Sequence, residues 1–241
     1  MTARTLALAV VLAAAAVAAA APIPKASDQP GPATKEELRA GRKRMAALVL
    51  ALHAYIDDHN GLWPTNVVDG EGKVLLSWRV QLLPYLGEEE LYKRFDLTES
   101  WDGKTNRKLI EQMPDAFAPA RDVTKNKGET FYQGFDGRGA AFDASARLKF
   151  PGSFPDGTSN TIALVEAGEP VIWTKPADIA YDSSAELPKL GGVFDGEFWV
   201  GLCDGSVWLA VTKKLDAQNF HRAVTTADGF VVDMDSAFGR R

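Results

Sequence analysis

The chain has 241 residues, of which 46% are hydrophobic, and it carries 27 Lys and Arg against 32 Asp and Glu. This mild acidity argues against nucleic acid as a partner, because phosphate binding needs a basic face that releases counterions. It also gives no polybasic segment for anionic lipid, and the single cysteine, Cys203, excludes an intrachain disulfide. We expect Cys203 to be a small buried hydrophobe.

Residues 1–20 predict a signal peptide. Arg4 supplies positive charge, residues 6–17 form an apolar stretch, and residues 18–21 supply the small side chains that a signal peptidase requires. The apolar stretch is shorter than the roughly 20 residues that cross a bilayer. We therefore expect an exported protein, periplasmic or extracellular, with no membrane span in the mature form. The alternative is an uncleaved N-terminal membrane anchor.

Residues 21–33 predict a linker, with prolines at 22, 24, 30 and 32. Proline at this density cannot continue a helix and favours extended backbone. One globular domain is then expected over residues 34–241, since a chain of this length can bury one substantial core.

A long helix is predicted at the start of this domain. Thr34 and Glu37 fit a capping box, in which each side chain satisfies a backbone N–H of the first turn. Apolar residues then recur at helical spacing from Leu38 to Ile56. Asn60-Gly61 provides the stop, because glycine readily adopts the left-handed conformation. We expect the helix to lie along the domain and bury its apolar stripe.

The elements that follow are shorter. Residues 74–78 form an apolar run, residues 81–92 predict a second helix with a solvated acidic face, and residues 109–113 predict a further turn. From residue 129 onward, short β runs alternate with turn residues. The clearest predicted strands are 161–165, 198–202, 206–211 and 229–232.

Asp204-Gly205 separates two of these apolar runs and predicts a hairpin with a type I′ turn, which needs positive φ at both central residues. Helices thus come first and an antiparallel sheet follows. This order predicts an α+β fold with a long N-terminal helix packed on an antiparallel β-sheet.

Five ordered segments carry a family resemblance. They are residues 52–55 with 61–64, 77–86, 156–162 with Glu166, 173–176 with Asp178, and 204–207 with 225–233. In their order and spacing these segments cover the chain from about residue 40 to 235. They resemble the bacterial prepilin-like family that is called domain of unknown function 1559. The resemblance implies a pilin- or pseudopilin-like fold displayed outside the inner membrane, and it implies no established enzymatic activity.

The resemblance marks twelve signature residues, which we expect to be structural: Trp63, Pro64, Trp78, Asp156, Gly157, Ser159, Asn160, Glu166, Trp173, Asp204, Gly205 and Ser206. Two features depart from the family. A signal peptide stands in place of the prepilin leader, which argues against assembly into a pilus. The family's histidine ten residues before the Asp-Gly pair is Phe194 here.

No motif points to catalysis or to a cofactor. The sequence has no Gly-x-Ser-x-Gly elbow, no phosphate loop and no dinucleotide fingerprint. His53 and His59 are six residues apart on one helix and therefore lie on different faces, which makes a poor metal pair. We therefore expect neither an enzyme nor a bound cofactor.

Loops rich in side-chain oxygens make a calcium site an alternative interpretation. Its candidate ligands are Asp156, Asn160, Asp195 and Asp204. The structural alternative is that the turn at residues 156–160 simply precedes a strand. The tryptophans also allow a structural and a binding interpretation. Trp78 and Trp208 are expected in the core, whereas the loop residues Trp63, Trp101 and Trp173 either close the ends of the core or anchor a protein or sugar partner.

The sequence therefore favours a non-catalytic exported envelope domain that acts through contacts with an unknown envelope protein or surface polymer. The alternatives are a calcium- or carbohydrate-binding module and, third, a secreted hydrolase.

Overall fold

The computed structural model describes residues 31–239. The predicted signal peptide, residues 1–20, and residues 21–30 of the predicted linker lie outside the described residues. Within the described range, no helix has both the length and the apolar character needed to cross a membrane.

Helix α1 spans Lys35–Asp58, close to the predicted helix. Its capping box is formed, because the Thr34 side chain accepts from the Glu37 N–H and the Glu37 carboxylate accepts from the Thr34 N–H. The predicted stop is confirmed as well. Asn60 and Gly61 have φ of 55° and 82°, which is the left-handed conformation that ends helices.

The single helix predicted over residues 81–92 is wrong. This segment is divided into α2 (Trp78–Gln81), a 3-10 turn (Leu83–Leu86) and α3 (Glu89–Tyr92). Pro84 lacks the N–H that a continuous helix needs, and Gly87, at φ 79°, ends the 3-10 turn. The predicted turn near residues 109–113 is a 3-10 helix at Asn106–Gln112, and another follows at Asp115–Phe117.

The main sheet has four antiparallel strands in the spatial order β3-β5-β7-β8. Two small pairs accompany it, β1 with β2 antiparallel and β4 with β6 parallel. The strands are β1 (Val67–Val68), β2 (Val74–Leu76), β3 (Glu129–Gln133), β4 (Phe135–Asp136), β5 (Ile162–Ile172), β6 (Ile179–Ala180), β7 (Glu197–Leu202) and β8 (Val207–Val211). The predicted α+β class is confirmed.

The predicted hairpin joins β7 to β8, but its turn is not type I′. The Leu202 N–H donates to the Ser206 carbonyl at 2.9 Å, and the Gly205 N–H donates back to the Leu202 carbonyl at 3.1 Å. Only Gly205, at φ 92°, has a positive φ in this loop. The turn therefore has three residues and ends in a left-handed glycine, the next most common hairpin geometry.

The strand predicted at residues 229–232 is also wrong. This segment is an unpaired loop in which Phe230 is 58% exposed and Val231 is 86% exposed. Two unpredicted helices flank it, α4 (Ala217–Val224) and α5 (Met234–Ala237), each capped by an aspartate side chain.

Two apolar clusters fill the space on either side of the main sheet. The first contains buried residues of α1, such as Met45 and Leu48, together with Leu164 of β5. The second contains Phe220 of α4 together with Phe198 of β7. The sheet is therefore covered by α1 on one face and by α4 and α5 on the other.

The core also accounts for most tryptophans. Trp63, Trp78 and Trp173 are buried, so neither Trp63 nor Trp173 is an exposed anchor, whereas Trp101 and Trp208 are half-buried. Cys203 is buried as predicted, and burial raises the pKa of its thiol well above the usual value.

Candidate functional site

A groove runs between α1 and strand β8, and we call it the basic groove. It consists of two adjoining hollows of about 560 and 480 Å³ that share Arg42 and Val207. The first hollow lies between α1 and the β7–β8 hairpin, and the second continues along β8 towards Gly239.

The charge of this groove has one sign. Arg39, Arg42 and Lys43 lie within one turn of α1, Lys214 stands at the far end, and all four are exposed. None of the four makes an ion pair with another described residue, and no residue that lines the groove is acidic. An otherwise acidic chain thus presents a local basic surface, which the net charge alone did not predict.

A buried carboxyl group lies beneath the floor of the groove. Glu166 of β5 accepts the backbone N–H of Trp199 at 2.9 Å, and the Trp199 ring lines the second hollow. The backbone of Gly41 in α1 covers both side chains. Burial raises the pKa of Glu166 to about 7. The N–H of Trp199, the Tyr132 hydroxyl and the charge of Arg44 oppose that rise.

A buried ion pair joins two of the segments that carry the family resemblance. The Arg79 guanidinium donates to the Asp178 carboxylate at 2.7 Å, and both side chains are excluded from solvent. The same carboxylate accepts from the Trp78 indole N–H and from the backbone N–H of Gly134. Arg79 also donates to the Tyr132 carbonyl, so this network ties α2 to β3.

The model of the family described as "Protein of unknown function (DUF1559)" matches residues 41–155. This part of the chain, just under half of its length, is therefore similar to that family. The match contains most of α1, the Arg79 side of the buried ion pair and strand β3, and it ends before β5. Among curated proteins and among solved structures, none matches the chain.

Asp156, one of the residues on which the resemblance rests, fixes the loop after α4. Its carboxylate accepts the backbone N–H groups of Asp228 and Gly229. Asn160 in turn donates to the Asp156 carbonyl at 2.8 Å, which closes the turn before β5. Gly157, at φ 99°, lies inside that turn, where a left-handed residue is needed. Ser159 is exposed on the same turn.

Other residues that carry the resemblance also pack or cap. Trp63 lies among aromatic rings, with the ring centre of Phe154 5.1 Å away, and Pro64 beside it is buried. The Trp173 indole N–H donates to the Ile110 carbonyl at 2.9 Å. Asp204 caps the hairpin by accepting from the Ser206 N–H and hydroxyl.

The four candidate calcium ligands lie in different settings. Asp156 and Asn160 share one turn, Asp204 caps the hairpin, and Asp195 donates its N–H to the Gly31 carbonyl. Across residues 31–239, no group of three His, Cys, Asp or Glu side chains is placed to hold a metal ion. The calcium site stays a prediction without a cluster to support it.

Phe194, which stands in place of the family's histidine, is buried. The Arg121 guanidinium lies 5.1 Å from its ring centre. That guanidinium also donates to both carboxylate oxygens of Glu37 at 2.7 Å and to the carbonyls of Gly31 and Pro32. The Arg121 guanidinium, together with the N–H and hydroxyl of Thr34, lowers the pKa of Glu37 to about 2. Arg121, which lies against Phe194, therefore holds the start of the domain in place.

A larger hollow of about 620 Å³ lies beside Phe194, but its charges are mixed. Lys125, Lys189 and Lys213 line it together with three acidic side chains. Lys189 is paired with Glu169 at 2.7 Å. Because the lining contains equal numbers of cations and anions, this hollow does not select a ligand of either charge.

The basic groove was not found by sequence reasoning. Its cations were visible as polar positions on the predicted helix, but the face they occupy was assigned no role. The packing of α1 on the sheet brings that face next to a hairpin more than 150 residues further along the chain. A cluster of Arg and Lys within one turn, without acids at i+3 or i+4, was the signal in the sequence.

Proposed function

We propose that this protein is a non-catalytic exported binding domain of the cell envelope, and that it contacts an acidic partner through the basic groove. The proposal rests on the four cations of the groove, which make no ion pair with any described residue. No acidic residue lines the groove beside them. Solvated cations of this kind attract a partner of opposite charge and set its orientation.

The surroundings of the reactive side chains support a non-catalytic role. His59 stacks on Tyr55 with ring centres 3.8 Å apart, and His221 lies 3.2 Å from the Tyr181 hydroxyl. Glu166 and Cys203 are both buried. A catalytic group has to reach a substrate, whereas these two histidines contact tyrosines and these two buried groups are closed off from solvent.

The test uses two acidic polymers, poly-L-glutamate and polygalacturonate, with neutral dextran as the reference. We expect the purified protein to bind at least one acidic polymer and not dextran, and to bind more weakly as salt is raised, because exposed charges are screened within about 10 Å at 0.1 M salt. Isothermal titration calorimetry measures each affinity.

Two charge-matched variants locate the contact. Arg39→Gln/Arg42→Gln/Lys43→Gln should lower the affinity by about tenfold or more, equivalent to about 1.4 kcal/mol. Lys104→Gln/Arg107→Gln/Lys108→Gln removes the same charge from another exposed segment and should leave the affinity within about twofold. Equal losses in the two variants would mean that only net charge matters, and the groove would not be the site.

A further inference from the structure

The structure assigns a form to the acidic partner: we propose that it is a peptide segment that adds to the main sheet as an extended strand along the open edge of β8. This inference rests on the proposed function of the basic groove and goes further, because it selects a protein over a polysaccharide. It follows from the direction of the backbone groups of β8 and from the charges beside them.

Strand β8 is the last strand of the four-stranded sheet and pairs only with β7 within the described residues. Antiparallel hydrogen bonds involve every second residue of a strand. The Leu202 N–H donates to the Ser206 carbonyl, so Ser206, Trp208 and Ala210 are the residues bonded towards β7. Val207 and Leu209 therefore direct their N–H and carbonyl groups away from the sheet.

Val211 confirms this direction. It belongs to the same alternate set, and its N–H donates to the Phe238 carbonyl at 2.9 Å, outside the β7–β8 ladder. The segment after α5 thus covers the end of β8. No residue of the described chain pairs with Val207 or Leu209 on that side. Natural proteins usually protect such an edge, because unpaired strand groups are a template for another chain.

The open edge borders the basic groove, because Val207 and Leu209 pack on the α1 side of the sheet. Val207 and Leu209 line it, and Arg42 reaches both of its hollows from the side of α1. An added strand would lie about 4.8 Å from β8 in the plane of the sheet, with the cations of α1 over one of its faces. Its backbone would satisfy the edge, and acidic side chains on one of its faces would meet the charges of α1. Main-chain bonds supply affinity and side chains supply specificity in this mode of recognition.

A polysaccharide matches this site less well. It could neutralise the same cations, but it has no regular ladder of N–H and carbonyl groups at the spacing of a strand. The unpaired groups of Val207 and Leu209 would then exchange hydrogen bonds with water only. The position of the edge at the border of the charged groove therefore favours an acidic extended peptide.

The test uses the capped peptide Glu-Val-Glu-Val-Glu-Val and the same peptide with every backbone amide N-methylated. N-methylation then removes the donors of both edges of the peptide and keeps every charge. We expect the unmodified peptide to bind and the methylated peptide to bind about tenfold more weakly or worse, equivalent to about 1.4 kcal/mol. Hydrogen exchange of the Val207 and Leu209 amides should slow only with the unmodified peptide.

A variant of the protein tests the same edge by changing β8 instead of the peptide. Leu209→Pro removes the outward N–H, and a proline is tolerated on an edge strand where its nitrogen faces away from the ladder. Leu209→Ala is the matched control, because it also removes the leucine side chain but keeps the backbone N–H. Leu209→Ala measures the effect of the shortened side chain alone, so peptide affinity should fall about tenfold or more further with proline than with alanine. The comparison of the two peptides uses the unaltered protein, so it holds even if Leu209→Pro fails to fold.

The outcomes separate the two proposals. If both peptides bind equally and Arg39→Gln/Arg42→Gln/Lys43→Gln weakens both, the groove binds anions and strand addition is overturned; polygalacturonate should then bind as well. Protected Val207 and Leu209 amides without peptide, together with a dimer in sedimentation, would mean that a second copy covers the edge, which also overturns the inference. If neither peptide nor acidic polymer binds, the proposed function itself fails.

Discussion

The backbone of Gly41 lies directly against the indole ring of Trp199. A Cβ atom at position 41 would stand 2.7 Å from the Trp199 Cδ1 atom and 2.8 Å from its Nε1 atom. Glycine in the interior of a helix is otherwise unfavourable by about 1 kcal/mol relative to alanine. The close approach of α1 to the sheet therefore depends on the missing side chain, and so does the floor of the basic groove.

Gly41→Ala should destabilise the protein by about 1–3 kcal/mol, because the buried ring has to move and the overpacking outweighs the gain in helix propensity. Urea denaturation followed by circular dichroism measures the change. Ala46→Gly, also in α1, serves as a reference for propensity alone and should cost about 1 kcal/mol. A Gly41→Ala protein that is more stable than the original would show that the ring moves without cost.

Glu166 should make stability depend on pH. Its pKa is raised by burial from the ordinary 4.5 to about 7 in the folded protein, so the folded chain holds a proton that the unfolded chain loses. The contribution of this group is therefore most favourable below about pH 4.5 and declines as the pH rises to about 7. The total decline is about 3 kcal/mol, after which it levels off.

Glu166→Gln isolates that contribution, since glutamine cannot ionise. The free energy of unfolding, measured from pH 4.5 to 8 for both proteins, should decline less steeply in the variant. Other titrating groups are common to the two proteins and cancel in the difference. Two parallel curves would mean that Glu166 keeps an ordinary pKa.

Asp178→Asn should destabilise the protein by about 3–5 kcal/mol, because it leaves the buried charge of Arg79 without its partner. Asp115→Asn is the matched control. It breaks the Arg44–Asp115 pair, but Asp115 is 80% exposed, and exposed pairs contribute at most about 1 kcal/mol. Denaturant midpoints give both values. Similar effects from the two substitutions would contradict the structural role of the buried pair.

Asp156→Ala should release the loop after α4, because the N–H groups of Asp228 and Gly229 lose their acceptor. We expect a loss of about 1–3 kcal/mol and faster hydrogen exchange of these two amides. Asp156→Asn keeps one acceptor oxygen and should recover part of the protection. Unchanged exchange in the alanine variant would show that the loop is held by other contacts.

Local features of the fold could be predicted and long-range ones could not. Helix α1 was predicted because its cap, its apolar spacing and its Asn60-Gly61 stop all act within a few residues. The segment 81–92 has helical spacing too, but Pro84 and Gly87 decide its shape. The loop at 229–232 reads as a strand from its apolar residues, yet no neighbouring strand is placed to pair with it.

The candidate site shows the same limit. In the sequence, Arg39, Arg42 and Lys43 are polar positions on an amphipathic helix, and strand 206–211 is half of a predicted hairpin. Their proximity depends on how α1 crosses the sheet, which is decided by contacts such as that of Gly41 with Trp199. Nothing in the sequence pattern near either element specifies that crossing.

The hydrogen bonds of Arg121 to the start of the domain have a mechanical consequence. The Arg121 guanidinium holds the carbonyls of Gly31 and Pro32 as well as the carboxylate of Glu37. Tension applied to the chain ahead of residue 31 would therefore be shared with the segment around Arg121 before it reached the first turn of α1. Because the pKa of Glu37 is about 2, acidification to mildly acidic pH would leave this attachment intact.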